Sequence, residues 1–314
     1  MYDKIKLYVD RAIVGEQYPT IANYLDNANQ ITDMNTGETK IYGGLDGLKV
    51  SIYPNGLSIV GSLPKFLHKS NVYPLDRHTA AKAIEKMSDA LHTHVGGAKV
   101  TEVEFGANML MRHEVQEYLK RLGDMPLMQR YNFDPDTLYF KGRGKVQPKV
   151  FAFYDKIADA DAKGMEYPDD LRDANLLRYE MRLKGRLPQQ LKVIEMVATS
   201  LTDKNVYRKL VAMFQNHYFS ISKQKQLKTN WMEDIKTVRK AYEILFAKLL
   251  NQSDPNQIKE FVEELKAAKV FDDRNDYYRL KKKIEQTAAR ASITESDEFI
   301  RELDNEVRNV CAYL

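Results

Sequence analysis

A tyrosine, a lysine, a glutamate and two arginines are spaced so that they could form a site for phosphodiester chemistry. Tyr154 and Lys156 end a strand-like run, and Arg178, Glu180 and Arg182 alternate with apolar residues in a later run. Residues two apart in an extended strand share a face, so we expect Tyr154 and Lys156 to point the same way, as do the three charged residues. A phenol can attack phosphorus, a carboxylate can hold a metal ion, and cations can balance phosphate charge. The alternative is an exposed tyrosine beside solvated charges, because short motifs often match by chance.

A second polar strand face is predicted where Glu102 and Glu104 alternate with Val103 and Phe105. Two carboxylates on one sheet face repel each other unless a cation or solvent intervenes. A divalent metal ion bound through oxygen ligands is one resolution, and an exposed acidic face is the other. Asn108 would lie on the same face if the strand continues.

A basic, glycine-containing turn precedes Tyr154. Lys141, Arg143, Lys145 and Lys149 supply four cations and no acid within nine residues. Such a turn has little side-chain bulk near its backbone and can follow a nucleic-acid strand closely. Turns are also basic merely because they are exposed, and that alternative stays open.

The pair His92 and His94 could hold a metal ion if both lay on one strand. They fall at a predicted helix end, where their side chains would diverge and where histidines commonly cap or stay solvated.

The chain has no phosphate-binding glycine loop, so nucleotide-driven chemistry is not indicated.

The composition is that of a cytoplasmic globular protein. The chain has 314 residues, 43% of them hydrophobic and 29% charged, with a net charge of +4. A nucleic-acid surface must therefore come from local patches. The single cysteine, Cys311, excludes an internal disulfide. No apolar run suits a membrane span or a signal peptide.

Apolar periodicity divides the chain into an α+β region, residues 1–190, and a helical region, residues 191–314. The strands of the first region are expected to form a mostly antiparallel sheet with helices on one side. Predicted strands are 4–9, 48–53, 57–60, 100–105, 137–140, 150–154 and 176–183, and predicted helices are 76–91 and 114–122. Asp76 is the expected N-cap of the longer helix. In the second region, Pro255 is expected to begin a helix.

Four motifs in the first region resemble those of rolling-circle replication initiators of phages and plasmids. The resemblance is to the filamentous-phage gene II/X type and, also, to staphylococcal-plasmid initiators. The motifs are 100–108, 137–142, 151–156 and 177–183. Tyr154 matches the family's tyrosine in its Tyr-x-Lys motif, Glu180 matches the carboxylate of the later strand, and Glu104 matches a usually acidic position. The chain departs from the family pattern at Asp159, where a glutamate is common nearby, and at Glu102, where arginine is common.

The resemblance implies a metal-dependent DNA-nicking transesterase of a bacterial host cell. Tyr154, assisted by Lys156, would attack one strand of single-stranded or extruded origin DNA and later allow rejoining. Glu104 and Glu180, with Glu102 as a further candidate, would hold Mg²⁺ or Mn²⁺. The expected DNA-binding cations are Lys141, Arg143, Lys145, Lys149, Arg178 and Arg182.

Origin DNA is the main expected partner, with host helicase and polymerase as further ones, and the helical region is expected to bind DNA or a partner. A conjugative or mobilisation relaxase, which uses the same chemistry, is one alternative. A non-catalytic DNA-binding regulator is another, although carboxylates on the polar strand faces argue against it.

Overall fold

The computed structural model describes residues 1–134, 136–144, 146–227, 235–252, 255–288 and 294–312. It divides into two compact units. The first comprises Met1–Leu119, Met125–Ser220 and Glu306–Leu314, and the second comprises Lys120–Asp124 and Ile221–Asn305. The boundary expected at residue 190 therefore falls inside the first unit.

Ten strands of the first unit form one sheet with the order β2-β3-β4-β5-β1-β6-β10-β9-β8-β7. Every pair of neighbours is antiparallel. The strands are β1 Tyr2–Asp10, β2 Asp26–Thr32, β3 Thr39–Leu45, β4 Leu48–Tyr53, β5 Gly56–Ser62, β6 Lys99–Met111, β7 Gln129–Asp134, β8 Thr137–Lys141, β9 Lys149–Asp155 and β10 Asn175–Lys184. The sequence-based expectation of an antiparallel α+β sheet followed by C-terminal helices is confirmed.

The helices of this unit are short except for two. They are α1 Arg11–Val14, α2 Leu63–His68, α3 Arg77–Ala90, α4 Val115–Leu119, α5 Lys156–Ala162, α6 Leu187–Leu191 and α7 Lys204–Ser220, with 3₁₀ segments at Gly15–Tyr24, Asp169–Leu171 and Ala198–Thr202. Asp76 caps α3 as expected, its carboxylate accepting a hydrogen bond from the Thr79 amide. The predicted helix 114–122 is shorter in the structure, as α4.

Aromatic side chains bury one face of the sheet under α7. The ring of Tyr179 on β10 stacks on Phe153 of β9 at 4.3 Å and lies 4.0 Å from Phe214 of α7. The Tyr179 hydroxyl donates to the Phe214 carbonyl oxygen at 3.0 Å, which satisfies the buried phenol. Because α7 packs on the sheet through these rings, it belongs to the first unit. The opposite face of these strands carries Arg178, Glu180 and Tyr154.

The second unit is mainly helical. It contains β11 Lys225–Leu227, α8 Val238–Gln252, α9 Pro255–Ala267, α10 Arg274–Ala288 and β12 Thr294–Ser296, and α11 Glu298–Ala312 begins in it. The start of α9 at Pro255 is as predicted. Lys225–Leu227 pairs with Thr294–Ser296, a strand pair that sequence periodicity missed because each strand has only three residues. In the described part of the chain, no helix combines the length and apolarity needed to cross a membrane.

Candidate active site

Strand register brings the predicted site residues of three strands onto the polar face of the sheet. Arg178 lies between Asn108 on β6 and Tyr154 on β9. Arg182 lies opposite Glu104. Directly paired residues of neighbouring strands share a face. The register therefore places the tyrosine and the two predicted metal ligands on the same face of the sheet.

Three carboxylates converge at this place, one of which sequence reasoning missed. Oxygens of Asp3, Glu104 and Glu180 all lie within 4.8 Å of one another. Asp3 comes from β1, which is separated from β10 by β6. Gly106 of β6 lies opposite Glu180 and has no side chain that would separate the Asp3 and Glu180 carboxylates. A Cβ atom at Gly106 would lie 2.8 Å from the Tyr179 carbonyl oxygen.

A register irregularity in β1 explains why Asp3 escaped prediction. Strict alternation places Asp3 with Ile5 and Leu7, which face the core. The pairing of β1 with β6 shifts between Tyr2 and Ile5, however, so the alternation is broken at Asp3. The available signal was an acidic residue at an apolar position of an otherwise regular strand.

Glu102, the third predicted ligand, is not in the cluster. Its carboxylate lies 4.0 Å from the Lys6 ammonium and 3.9 Å from that of Lys184, and its side chain is 32% exposed. We therefore replace Glu102 by Asp3 in the candidate carboxylate set. The reason is the register of β6 with β10, which pairs Glu102 with Lys184 at the strand end.

Arg178 is an internal cation of the site. Its side chain is completely buried, and its guanidinium donates to Glu180 Oε2 at 2.9 Å, to Asn108 Oδ1 at 3.0 Å and to Asp3 Oδ2. The expectation that Arg178 contacts a DNA backbone is not supported, because its guanidinium is completely buried among three side-chain acceptors and presents no surface to phosphate. Its guanidinium holds together the carboxylates of Asp3 on β1 and Glu180 on β10, two strands that are not neighbours.

Arg182 remains partly accessible. Its side chain is 28% exposed, and its Nε donates to Glu180 Oε1 and lies 3.6 Å from Glu104 Oε1. Two guanidinium groups thus face three carboxylates, which leaves the cluster with excess negative charge when all three are ionised.

The Tyr154 phenol belongs to the same network. It donates a hydrogen bond to Glu180 Oε2 at 3.0 Å. Burial raises the pKa of Tyr154 above its usual value near 10, the Arg178 charge opposes this rise, and the Glu180 charge reinforces it. The phenol is therefore neutral at physiological pH and must lose its proton in order to act as a nucleophile.

Lys156 does not share a strand face with Tyr154, contrary to expectation. Strand β9 ends at Asp155, whose carboxylate accepts hydrogen bonds from the amides of Ile157 and Ala158 and so caps α5. Lys156 is the first residue of that helix, is 2% exposed, and has its ammonium 3.8 Å from Asp159. Burial lowers the pKa of Lys156, and the nearby Arg178 charge adds to the effect. Asp159, at the departure from the family pattern, also pairs with Lys163.

The pKa values of Glu104 and Glu180 are shifted in opposite directions. Burial raises the pKa of Glu104 to about 7, and the charge of Glu180 adds to this rise. Burial also works to raise the pKa of Glu180, but Arg178 and Arg182 hold it at about 2. At neutral pH Glu180 is ionised, whereas Glu104 exchanges its proton readily.

This difference predicts how stability depends on pH. Between about pH 4.5 and 7, Glu104 is protonated in the folded protein and ionised in the unfolded chain. The free energy of unfolding therefore falls as the pH rises through this window, by roughly 3 kcal/mol in total from Glu104. We expect the stability of Glu104→Gln, relative to the unaltered protein, to increase across this window when measured by urea unfolding without metal. A constant difference between the two proteins would contradict the raised pKa.

The donor set fits a hard divalent cation. Mg²⁺ and Mn²⁺ prefer carboxylate and water oxygens, and Asp3, Glu104 and Glu180 offer such oxygens close together. Within the described residues, the one group of three or more potential ligands contains no histidine. His92 instead packs its ring 4.6 Å from that of Tyr24, in a left-handed backbone conformation with φ of 49°.

The predicted basic turn connects β8 and β9 as a hairpin, as expected. Arg143 is exposed, and Lys149 is half-buried, which lowers its pKa. Lys141 lies at the end of β8 on the polar face. Lys145 lies outside the described residues.

These features define an antiparallel α+β sheet protein with a tyrosine and a carboxylate cluster on its polar face. The family model described as the N-terminal part of a phage replication-associated protein, the gene II protein, matches residues 46–204, slightly more than half of the chain. The chain belongs to this family. Asp3 lies before the matched range.

Among solved structures, the chain is similar to one titled as a rolling circle replication initiator protein from Geobacillus stearothermophilus. The identity is 11%, the TM-score is 0.42, and the match covers 73% of this chain and 88% of that one. No curated protein matches the chain. The family assignment rests on the family model.

Proposed function

We propose that the protein is a rolling-circle replication initiator that nicks one strand of origin DNA through Tyr154. The observation that carries this proposal is the 3.0 Å hydrogen bond from the Tyr154 phenol to Glu180, inside a cluster of three carboxylates on the polar face of the sheet. Membership of a replication-associated family supports it. A surface that only bound DNA would need accessible cations at this position and not buried acids.

The reaction is a transesterification. The phenol oxygen forms a bond to phosphorus, the bond from phosphorus to the 3′ oxygen breaks, the phenol proton leaves, and the 3′ oxygen gains a proton. The products are a 5′-phosphotyrosyl enzyme and a 3′-hydroxyl that a host polymerase can extend. The phosphodiester bond energy is kept in the adduct, so the reverse reaction can rejoin strands without a nucleotide cofactor.

The charge state of each residue in the cluster determines its proposed role in the reaction. Glu180 accepts the hydrogen bond of the phenol and orients it, but its low pKa makes it a weak proton acceptor. Burial keeps Glu104 partly protonated in the metal-free protein, so cation binding there would release a proton. Arg178 favours the phenolate through its charge, a role that had been expected of Lys156.

Asp3, Glu104 and Glu180 would hold the divalent cation. When bound, Mg²⁺ or Mn²⁺ would supply positive charge to the scissile phosphate and to the developing phenolate. We assign the nicking function to the first unit, and binding of DNA or a replication partner to the helical second unit.

The test is to incubate the protein with supercoiled DNA carrying the origin of its own replicon, with Mn²⁺, and to look for a nicked circle with protein attached to its 5′ end. Release of a 3′-phosphate product, or nicking with no attached protein, would refute tyrosine transesterification.

The basic hairpin leads to a separate prediction. Replacing Lys141, Arg143 and Lys145 with alanine should weaken DNA binding and reduce its salt slope by about 0.7–0.9 for each phosphate that the protein no longer neutralises. Phosphate contacts carry no sequence code, so origin and random DNA should be affected alike. Binding measured over a range of salt concentrations checks this, and an unchanged slope would assign the hairpin to solvent.

A further inference from the structure

Two tyrosines stand in line with the catalytic cluster on the same face of the sheet. Tyr131 on β7 pairs directly with Tyr139 on β8, Tyr139 pairs with Ala152 on β9, and Ala152 pairs with Glu180 on β10. Directly paired residues share a sheet face, so the two rings and the Glu180 carboxylate project to one side. The opposite side of β8 and β9 holds buried rings such as Phe140 and Phe153, whose centroids are 6.1 Å apart.

Between the tyrosines and the carboxylates, β9 presents only a small side chain. Neighbouring strands are about 4.8 Å apart, which places the Tyr139 backbone about 10 Å from that of Glu180. Only the methyl group of Ala152 projects from the intervening position. Tyr139 is half-buried and Tyr131 is 37% exposed, so the rings are accessible from this face.

Cations lie over both rings. The Lys141 ammonium lies 4.7 Å from the centre of the Tyr139 ring and 5.6 Å from that of Tyr131. The Arg182 guanidinium carbon lies 5.9 Å from the Tyr139 ring centre, on the side of the carboxylates. Aromatic rings next to cations, along a groove, are how proteins bind unpaired nucleotides: the bases stack and the cations contact phosphate.

We propose that Tyr139 and Tyr131 form a stacking platform for unpaired bases of the strand that is cut, next to the scissile phosphate. This inference rests on the proposed nicking function and identifies the residues of this chain that would hold the unpaired bases. In a duplex the bases already stack on one another, and extruding one costs free energy. Stacking tolerates any base, so the platform gives strand-type selectivity and positioning and leaves reading of the sequence to other contacts.

The test measures binding and not cleavage, in a Tyr154→Phe background that keeps the DNA intact. The probe is a labelled oligothymidylate, with a matched series in which one nucleotide at a time lacks its base. Tyr139→Leu should weaken binding of the intact probe roughly 5- to 150-fold, the range expected for loss of one stacked base. Tyr139→Phe should bind as the parent does, because it keeps the ring.

The control is Tyr42→Leu. Tyr42 lies on β3 with a similar exposure of 39% but six strands away from β9, and its replacement should leave binding unchanged. Removing the base that stacks on Tyr139 should weaken binding by the parent as much as the leucine substitution does. The same removal should leave binding by the Tyr139→Leu variant almost unchanged. Tyr131→Leu should show the same loss of dependence at a neighbouring nucleotide.

Equal binding of the parent and both leucine variants would overturn the platform, as would a loss that is the same for every abasic position and for duplex DNA. Tyr139→Trp provides a second reading if leucine impairs folding. Its fluorescence should be quenched by the oligothymidylate, measured against the signal of the single native tryptophan, Trp231, and lack of quenching would also refute the proposal. A successful abasic scan without any covalent adduct in the unaltered protein would retain the platform and reject tyrosine nicking.

Discussion

Replacing Tyr154 with phenylalanine is expected to abolish both the nick and the covalent protein–DNA adduct. The change removes the oxygen that would attack phosphorus and little volume, and loss of a catalytic nucleophile costs about 10³-fold or more in rate. DNA binding should stay within a few-fold, because the phenol contributes one hydrogen bond, to Glu180. Denaturing gel electrophoresis of the protein with end-labelled origin DNA measures the adduct, and filter binding measures affinity.

Tyr42→Phe is the matched control for this change, since Tyr42 lies on the distant strand β3. It should form the adduct at the normal rate. If Tyr154→Phe still formed an adduct, the nucleophile would be another tyrosine. Tyr139, on the strand next to β9, would be the first to test.

Replacing Arg178 with methionine should destabilise the fold by about 3–5 kcal/mol, the usual cost of removing one partner from a buried ion pair. The substitution leaves the Asp3 and Glu180 carboxylates buried without the guanidinium that binds both. Urea unfolding at neutral pH without metal measures the loss. Mn²⁺ should restore more stability to this variant than to the unaltered protein, because a bound cation replaces the missing charge.

Arg172→Met is the control for the charge change. Arg172 pairs with Asp169 at 2.8 Å, but both side chains are exposed, at 72% and 91%, and such pairs add little to stability. Its stability should be close to that of the unaltered protein. An Arg178→Met protein of equal stability in metal-free buffer would show that the buried network is not held together by this guanidinium.

Much of the sheet was predictable because its strands alternate strictly. The hairpin of β4 and β5, the hairpin of β8 and β9, and the strand β10 all follow from period-two patterns bounded by turn residues. Strand β6 continues to Met111, beyond the predicted end at 105, and this extension brings Asn108 to Arg178. Short elements such as α5 were missed because a local capping interaction, and not periodicity, defines them.

The sequence by itself determined that Glu180 lies on a polar strand face, since its strand alternates strictly between apolar and charged residues. Only the tertiary structure decided which charges meet there. Asp3 reaches Arg178 across 175 positions of the chain, through a register shift that no local pattern encodes. The same structure placed Lys156 at the start of a helix and enclosed Arg178, because burial and pairing between strands depend on residues far apart in sequence.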